Sequence, residues 1–299
     1  MAALETRYKG MLFVAPWVIG FSVFTLFPFL SSIYYSFTDF NVLEKPIWVG
    51  AENFKEMAGD AVFWHVLKNT FLYAALAIPA GLCVSLGLAL CMNAVRRGQI
   101  VYSVIFYLPF LVPPTAAAIL WMWIFNAEFG LLNAVLGPIL QMFNPHWAPP
   151  AWLTDSAWAI EALVIICLWG IGQSAFIYLA KLQDVPQDLY EAAEIDGASM
   201  LQKIWHVTLP MISPVIFFNI IMGIIGSFQI FTEPYQVFGV DGGPARCAYF
   251  LPHYIFDHAF TYLRMGYACA MSWILFMIIL LLTLLAFRLS KDRVYYAGK

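Results

Sequence analysis

The sequence predicts an all-α integral membrane protein with six transmembrane helices, and three observations carry that expectation. The chain is 62% hydrophobic and only 11% charged, with a mean hydropathy of +0.78. A soluble domain carries about 25% charged residues, so one water-soluble globule is excluded. Six runs, each about 20 residues long, are apolar enough to cross a bilayer. The 15 Lys and Arg residues also fall unevenly between the two sides that those runs define, ten against five.

The first run covers residues 12–32. Arg7 and Lys9 precede it, as basic residues precede the apolar core of a secretory signal. The run exceeds the roughly 7–15 residues of such a core, and no small-residue cleavage site follows cleanly, so a retained span is expected. Residues 40–69 form an outer loop with Asp39, Glu44, Glu52, Glu56, Asp60, Trp48 and Trp64 in or beside it. The second and third runs cover 71–92 and 104–125. Pro28, Pro79, Pro109 and the pair Pro113–Pro114 sit within or beside spans. Membrane helices tolerate such breaks where neighbours or water satisfy the freed carbonyls. Bent helices around a cavity and bent packing alone both fit these prolines.

The loop 126–156 contains no Lys or Arg. Trp121, Trp123, Trp147, Trp152 and Trp158 flank the third and fourth runs, and both an interfacial belt and sugar-stacking platforms fit them. The fourth run, 157–180, holds Glu161 near its outer end as the one acidic candidate within a span. The fifth and sixth runs cover 211–231 and 267–287. Between them, 252–260 (PHYIFDHAF) reads as a short interfacial helix.

The ten inner cations are Arg7, Lys9, Arg96, Arg97, Lys181, Lys203, Arg288, Lys291, Arg293 and Lys299; the five outer ones are Lys45, Lys55, Lys68, Arg246 and Arg264. Cytoplasmic loops carry the excess of Lys and Arg, so both termini are expected in the cytoplasm. The chain divides into 1–65 (tail, first helix and first outer loop), 66–288 (a transmembrane domain of the remaining five spans) and a cytoplasmic tail, 289–299.

Several function classes drop out. A net charge of −3 offers no basic footprint for nucleic acid. Cys83, Cys91, Cys167, Cys247 and Cys269 form no C-x-x-C pair; no disulfide framework is expected, and the four in apolar runs read as small buried hydrophobes. The sequence holds no G-x-x-x-x-G-K-[ST], H-E-x-x-H or G-x-S-x-G, so it carries no ATPase site and no catalytic constellation. His253 and His258, five apart, fall on different helix faces, and no metal is expected. Ion-coupled carriers usually need buried carboxylates or histidines. A lone Glu161 is weak for that role, which leaves an ion-coupled secondary carrier as the alternative and an external energy source as the main reading.

The informative stretch is 184–214, DVPQDLYEAAEIDGASMLQKIWHVTLPMISP, in the cytoplasmic loop between the fourth and fifth spans. Pro186 suits a first helical turn, and Asp188 and Glu191 favour its positive end. A helix over 186–196 is predicted, with Gly197 as the left-handed residue that ends it. Ser199-x-x-Gln202 is a capping box for a second helix that runs through Trp205 and Leu209-Pro210 into the membrane. Ala192 and Ala193 allow close approach of another surface, and Glu191, Glu194 and Asp196 rim it with charge. Physics alone leaves a docking surface and an ordinary amphipathic loop helix both open.

The pattern Glu191-Ala192-Ala193, Asp196-Gly197-Ala198, then Leu209-Pro210 and Pro214 resembles the EAA loop of binding-protein-dependent ABC importer permeases. One departure is Ile204, where that family often has Phe, and Trp205 stands beside it to fill the same pocket. FPFLSSIYYSFTDF, WVGAENFKEM, FWHVLKNTFLYA, the DGGPA of 241–245, and MGYACAMSWILF followed by FRLSKDRVYY resemble the sugar-type permeases over nearly the whole chain. The resemblance implies a type I ABC importer permease fold in a bacterial or archaeal cytoplasmic membrane. It implies a second homologous permease, two ATP-binding cassette subunits that hold ATP and Mg, and an extracytoplasmic solute-binding protein; this chain itself would hold no cofactor. It assigns ATPase coupling to Glu191, Ala192, Ala193, Asp196, Gly197, Ala198, Leu209 and Pro210. Few cations near the outer mouth and many aromatics point to an uncharged sugar or polyol as the solute, with glycerol phosphate left open because a heteromeric partner could supply the cations that a phosphate needs, and no contact residues are assigned.

Overall fold

A computed structural model describes residues 13–95 and 97–291. Arg7, Lys9, Arg96, Arg293 and Lys299, and with them both ends of the cation count, lie outside the described residues. The described chain is almost wholly helical. In order come α1 (Phe13–Ser36), the strand pair β1 (Thr38–Asp39) and β2 (Ile47–Trp48), α2 (Glu52–Gly59), α3 (Ala61–Ala94), α4 (Gln99–Leu111), α5 (Pro114–Ile124) and α6 (Leu131–Phe143). Then follow α7 (Ala159–Trp169), α8 (Gly172–Gln183), α9 (Gln187–Ile195), α10 (residues 200–228), α11 (Thr232–Phe238), α12 (Leu251–Phe256) and α13 (Met265–Ser290).

Four helices are long and apolar enough to cross a membrane: α1, α3, the Met200–Phe238 helix that joins α10 to α11, and α13. Six crossings result when each bent pair counts as one. The bent pairs make the third and fourth of these crossings. α4 and α5 meet at 98°, and α7 and α8 at 48°. At the first break, Pro114 pushes its predecessor out of the helical region, and Pro113 sits extended at ψ 137°. At the second, Gly170 follows Trp169, where a residue of low helix propensity releases the chain.

The described residues fall into two compact units, 13–63 with Tyr254–Met277, and Trp64–His253 with 278–291. In the first, buried Asn53 donates to the carbonyls of Ser36 and Thr38, both at 3.0 Å, and so ties α2 to the end of α1. Gly266 lets α13 approach β1 so closely that a Cβ there would strike the Thr38 carbonyl oxygen. Glu56 and Arg264 form a two-pronged ion pair at 2.7 and 2.6 Å. Asp60 accepts from the hydroxyls of Tyr254 (2.6 Å) and Tyr267 (3.0 Å) and from the Val62 N–H (2.8 Å). Burial pushes the Asp60 carboxyl up, the two tyrosine hydroxyls and backbone N–H groups pull it down, and the net shift is downward.

In the second unit, one core cluster gathers Tyr73, Ala118, Phe125, Trp152, Leu163 and Phe250 among others; another gathers Ala89, Met92, Ala175, Tyr178, Leu182 and Ile212. Asn69 of α3 donates to the carbonyls of Arg246 (2.9 Å) and Tyr249 (3.2 Å), and Thr70 accepts from the Leu251 N–H at 3.0 Å. These bonds anchor the DGGPA loop, whose Gly242 and Gly243 both have positive φ.

Three expectations of burial are corrected. Cys83, Cys91 and Cys167 are exposed in the single chain, although all five cysteines are free thiols as expected. Residues 252–260 form no surface-lying helix, because His253, Tyr254, Asp257, His258 and Ala259 are buried. Trp152 is buried too and donates to Asn133 at 2.8 Å, so it belongs to the core rather than to a belt.

Candidate functional site

Two features stand out, a braced hairpin of helices and a cavity where helix breaks meet. The hairpin is the 184–214 segment. Pro186, at φ −58° and ψ 133°, immediately precedes α9, with Asp188 in the first turn. The helix ends one residue earlier than predicted, and Gly197 follows at φ +74°. The Ala198 N–H reaches the Ala193 carbonyl at 2.9 Å and the Gly197 N–H the Glu194 carbonyl at 3.0 Å. This 6→1 and 5→2 pairing is the Schellman closure that a left-handed glycine permits. Ser199 then caps α10: its hydroxyl accepts from the Gln202 N–H, and the Gln202 side chain accepts from the Ser199 N–H at 2.7 Å.

Two further contacts brace the hairpin. Lys203 pairs with Glu194 at 2.7 Å, and the hydroxyls of Tyr190 and Thr208 meet at 3.0 Å. The lysine hydrogen bond holds the Glu194 carboxyl below the usual range. Glu194 is therefore a brace rather than a free member of an acidic rim. From Met200 the helix runs through a wider turn, Ile204–Thr208, into Leu209–Phe228 without interruption.

Tyr190 and Leu209 pack against the core cluster around Ile212. The opposite face is open. Glu191, Ala192, Asp196, Gly197 and Pro210 are exposed, and Ala193, Ala198 and Leu209 are half-buried. Apolar side chains surround them: Ile195 is 88% exposed, with Met200, Leu201 and Trp205 also exposed. Trp205, 63% exposed, fills no pocket among the described residues of this chain. These four leave an apolar patch open on an otherwise polar hairpin. The composition of the loop hid them, because each looks like an ordinary core residue.

The cavity lies within the second unit and measures about 600 Å³. Three helix breaks converge on it: Pro109–Pro114 between α4 and α5, Gly170–Ile171 between α7 and α8, and Gln229–Phe231 between α10 and α11. Irregular backbone at membrane depth is tolerated where it lines a cavity, and here the breaks do so. The walls are largely apolar, with Gln173, Ser174, Asn219, Gln229, Thr232 and Glu233 as polar groups. Glu161 is not among the lining residues, and Glu233, two residues beyond the predicted fifth span, is. Of the tryptophans only Trp169 lines the cavity; none of the five flanking ones does. Polar residues inside apolar runs were the available sequence signal for this site.

The profile of the family described as binding-protein-dependent transport system inner membrane component matches residues 77–292. The chain belongs to that family. It is a multi-pass membrane permease component of an importer, not an enzyme, and the ion-coupled carrier reading falls. Similar members include a probable ABC transporter permease, YesP, of Bacillus subtilis (strain 168), 37% identical over 99% of this chain and 94% of that protein. The lactose transport system permease LacF of Rhizobium radiobacter is 31% identical over 95% of each chain. A solved bacterial ABC transporter involved in the import of the acidic polysaccharide alginate superposes with a TM-score of 0.79 at 21% identity, over 97% of this chain and 98% of that one. That likeness establishes the type I permease fold.

Proposed function

We propose that this chain is one half of a permease pair that imports a sugar or polyol, with ATP hydrolysed elsewhere in the assembly. Two ATP-binding subunits, which hold ATP and Mg, dock on α9. A second homologous permease completes the path, and an extracytoplasmic solute-binding protein delivers the solute. Both termini lie in the cytoplasm, as the cation bias requires. The observation that carries this reading is the hairpin: a short stiff helix with small residues at Ala192 and Ala193, braced at its turn and continuous with a membrane span. Coupling needs an element that makes different contacts in two states, and a rigid lever joined to a span is such an element. The carbohydrate class rests on the lactose permease relative and on the cavity, whose few polar groups are mostly uncharged.

The test is cross-linking within the assembled importer. A single cysteine at Ala193 should cross-link to the ATP-binding subunit, with a yield that changes when ATP is trapped. Ala193→Trp should abolish both solute uptake and co-purification of that subunit while the permease still inserts. Normal uptake and assembly with tryptophan at 193 would remove α9 as the docking element.

A further inference from the structure

The cavity wall is electrically one-sided. Among the described residues, Glu233 is the only carboxylate that lines the cavity, and no Lys, Arg or His does. It sits in the first turn of α11, just beyond the Gln229–Phe231 break, and buried Pro234 follows it. Among the described residues no hydrogen bond or ion pair engages its carboxylate. The other polar groups that line the cavity include neutral amides and hydroxyls, Gln173, Gln229 and Thr232 among them.

An ionised carboxylate only accepts hydrogen bonds. A solute beside Glu233 is therefore held by what it donates, hydroxyl protons or an ammonium group. An acidic solute meets that like charge, and this chain's described share of the wall holds no cation to offset it. Largely apolar surroundings strengthen that repulsion relative to water. We propose that Glu233 is the specificity-determining residue of the path, selecting polyhydroxyl solutes, most strongly those bearing a protonated amine, and rejecting acidic sugars and sugar phosphates. This inference rests on the reading of the chain as a carbohydrate permease.

The test uses the assembled importer in lipid nanodiscs, without its solute-binding protein, so that the membrane path alone is read. Three radiolabelled probes share a disaccharide frame and differ in charge: cellobiose, the glucosamine disaccharide and cellobiouronic acid. For the wild type, the amine probe should bind at least about tenfold more tightly than the acid, with the neutral sugar between. Glu233→Gln should shrink the amine-to-acid ratio to within about threefold and move the neutral probe by less than that. Glu233→Asp, which keeps the charge, should restore the order. Equal wild-type binding of acid and amine, or an unchanged ratio in Glu233→Gln, overturns the inference and leaves the carbohydrate reading standing. If no probe binds the wild type and none is imported by the complete system, both fall.

Discussion

Lys203 donates to Glu194 at 2.7 Å, a contact that spans the turn pivoting on Gly197 and joins the end of α9 to the start of α10. Exposed ion pairs add little to global stability and are screened by salt. Their effect is local. Lys203→Ala should leave the melting temperature of the purified subunit unchanged and accelerate amide exchange at Gly197 and Ala198. High salt should reproduce that acceleration in the wild type. Equal exchange in variant and wild type would count against the brace.

Gly197 combines φ +74° with open space where a Cβ would stand. Its substitution cost is therefore backbone strain alone, about 1–2 kcal/mol for a residue with a Cβ. Gly197→Ala and Gly197→Leu should weaken local protection at Ala198 equally, roughly tenfold or more, and Gly197→Asn less, because Asn tolerates the left-handed region. A Leu effect much larger than that of Ala would mean that packing rather than backbone conformation limits the site.

Ser199 satisfies the first turn of α10. Ser199→Ala should cost about 1 kcal/mol of local helix stability, and Ser199→Asp should recover most of it. Hydrogen exchange over residues 200–203 reads both.

The Arg264 hydrogen bonds hold the Glu56 carboxyl below its ordinary value of 4.5, against a smaller upward push from burial. A carboxyl lowered in the folded state contributes stability that is present above pH 4.5 and is lost as pH falls through the folded value. Acid unfolding of the segment holding α2 and the start of α13 should therefore begin below pH 4.5. Glu56→Gln should reduce stability at neutral pH and flatten that dependence. An unchanged acid profile in Glu56→Gln would exclude the pair as its source.

Asn69 uses its buried amide to hold two carbonyls of the 246–249 segment. Asn69→Leu strips that donor and removes one hydrogen bond from each of the two carbonyls, a loss of about 1–3 kcal/mol. The DGGPA loop should then become protease-sensitive, while the α9 hairpin keeps its protection.

How much of this protein was legible beforehand depends on the reach of each interaction. Long apolar runs revealed the membrane helices, because about 20 residues must match one hydrocarbon thickness. The α9–α10 hairpin was legible almost to the residue. Its determinants, the left-handed Gly197 and the Ser199–Gln202 box, act within a few positions of themselves. The Lys203 brace and the Tyr190–Thr208 contact, 9 and 18 positions apart, were not.

The sequence by itself determined the membrane class, the helical content and the local geometry of the hairpin. Tertiary structure alone decided that three helix breaks share one cavity, that Glu233 rather than Glu161 lines it, and that residues 252–260 are buried. It also decided the partners of Asn69 and Asp60, which lie roughly 180 to 210 positions away. The physical reason is that caps and periodicity are properties of one turn of chain. A cavity or a long-range hydrogen bond exists only after distant segments have packed, and in a single sequence nothing marks which distant polar groups will meet.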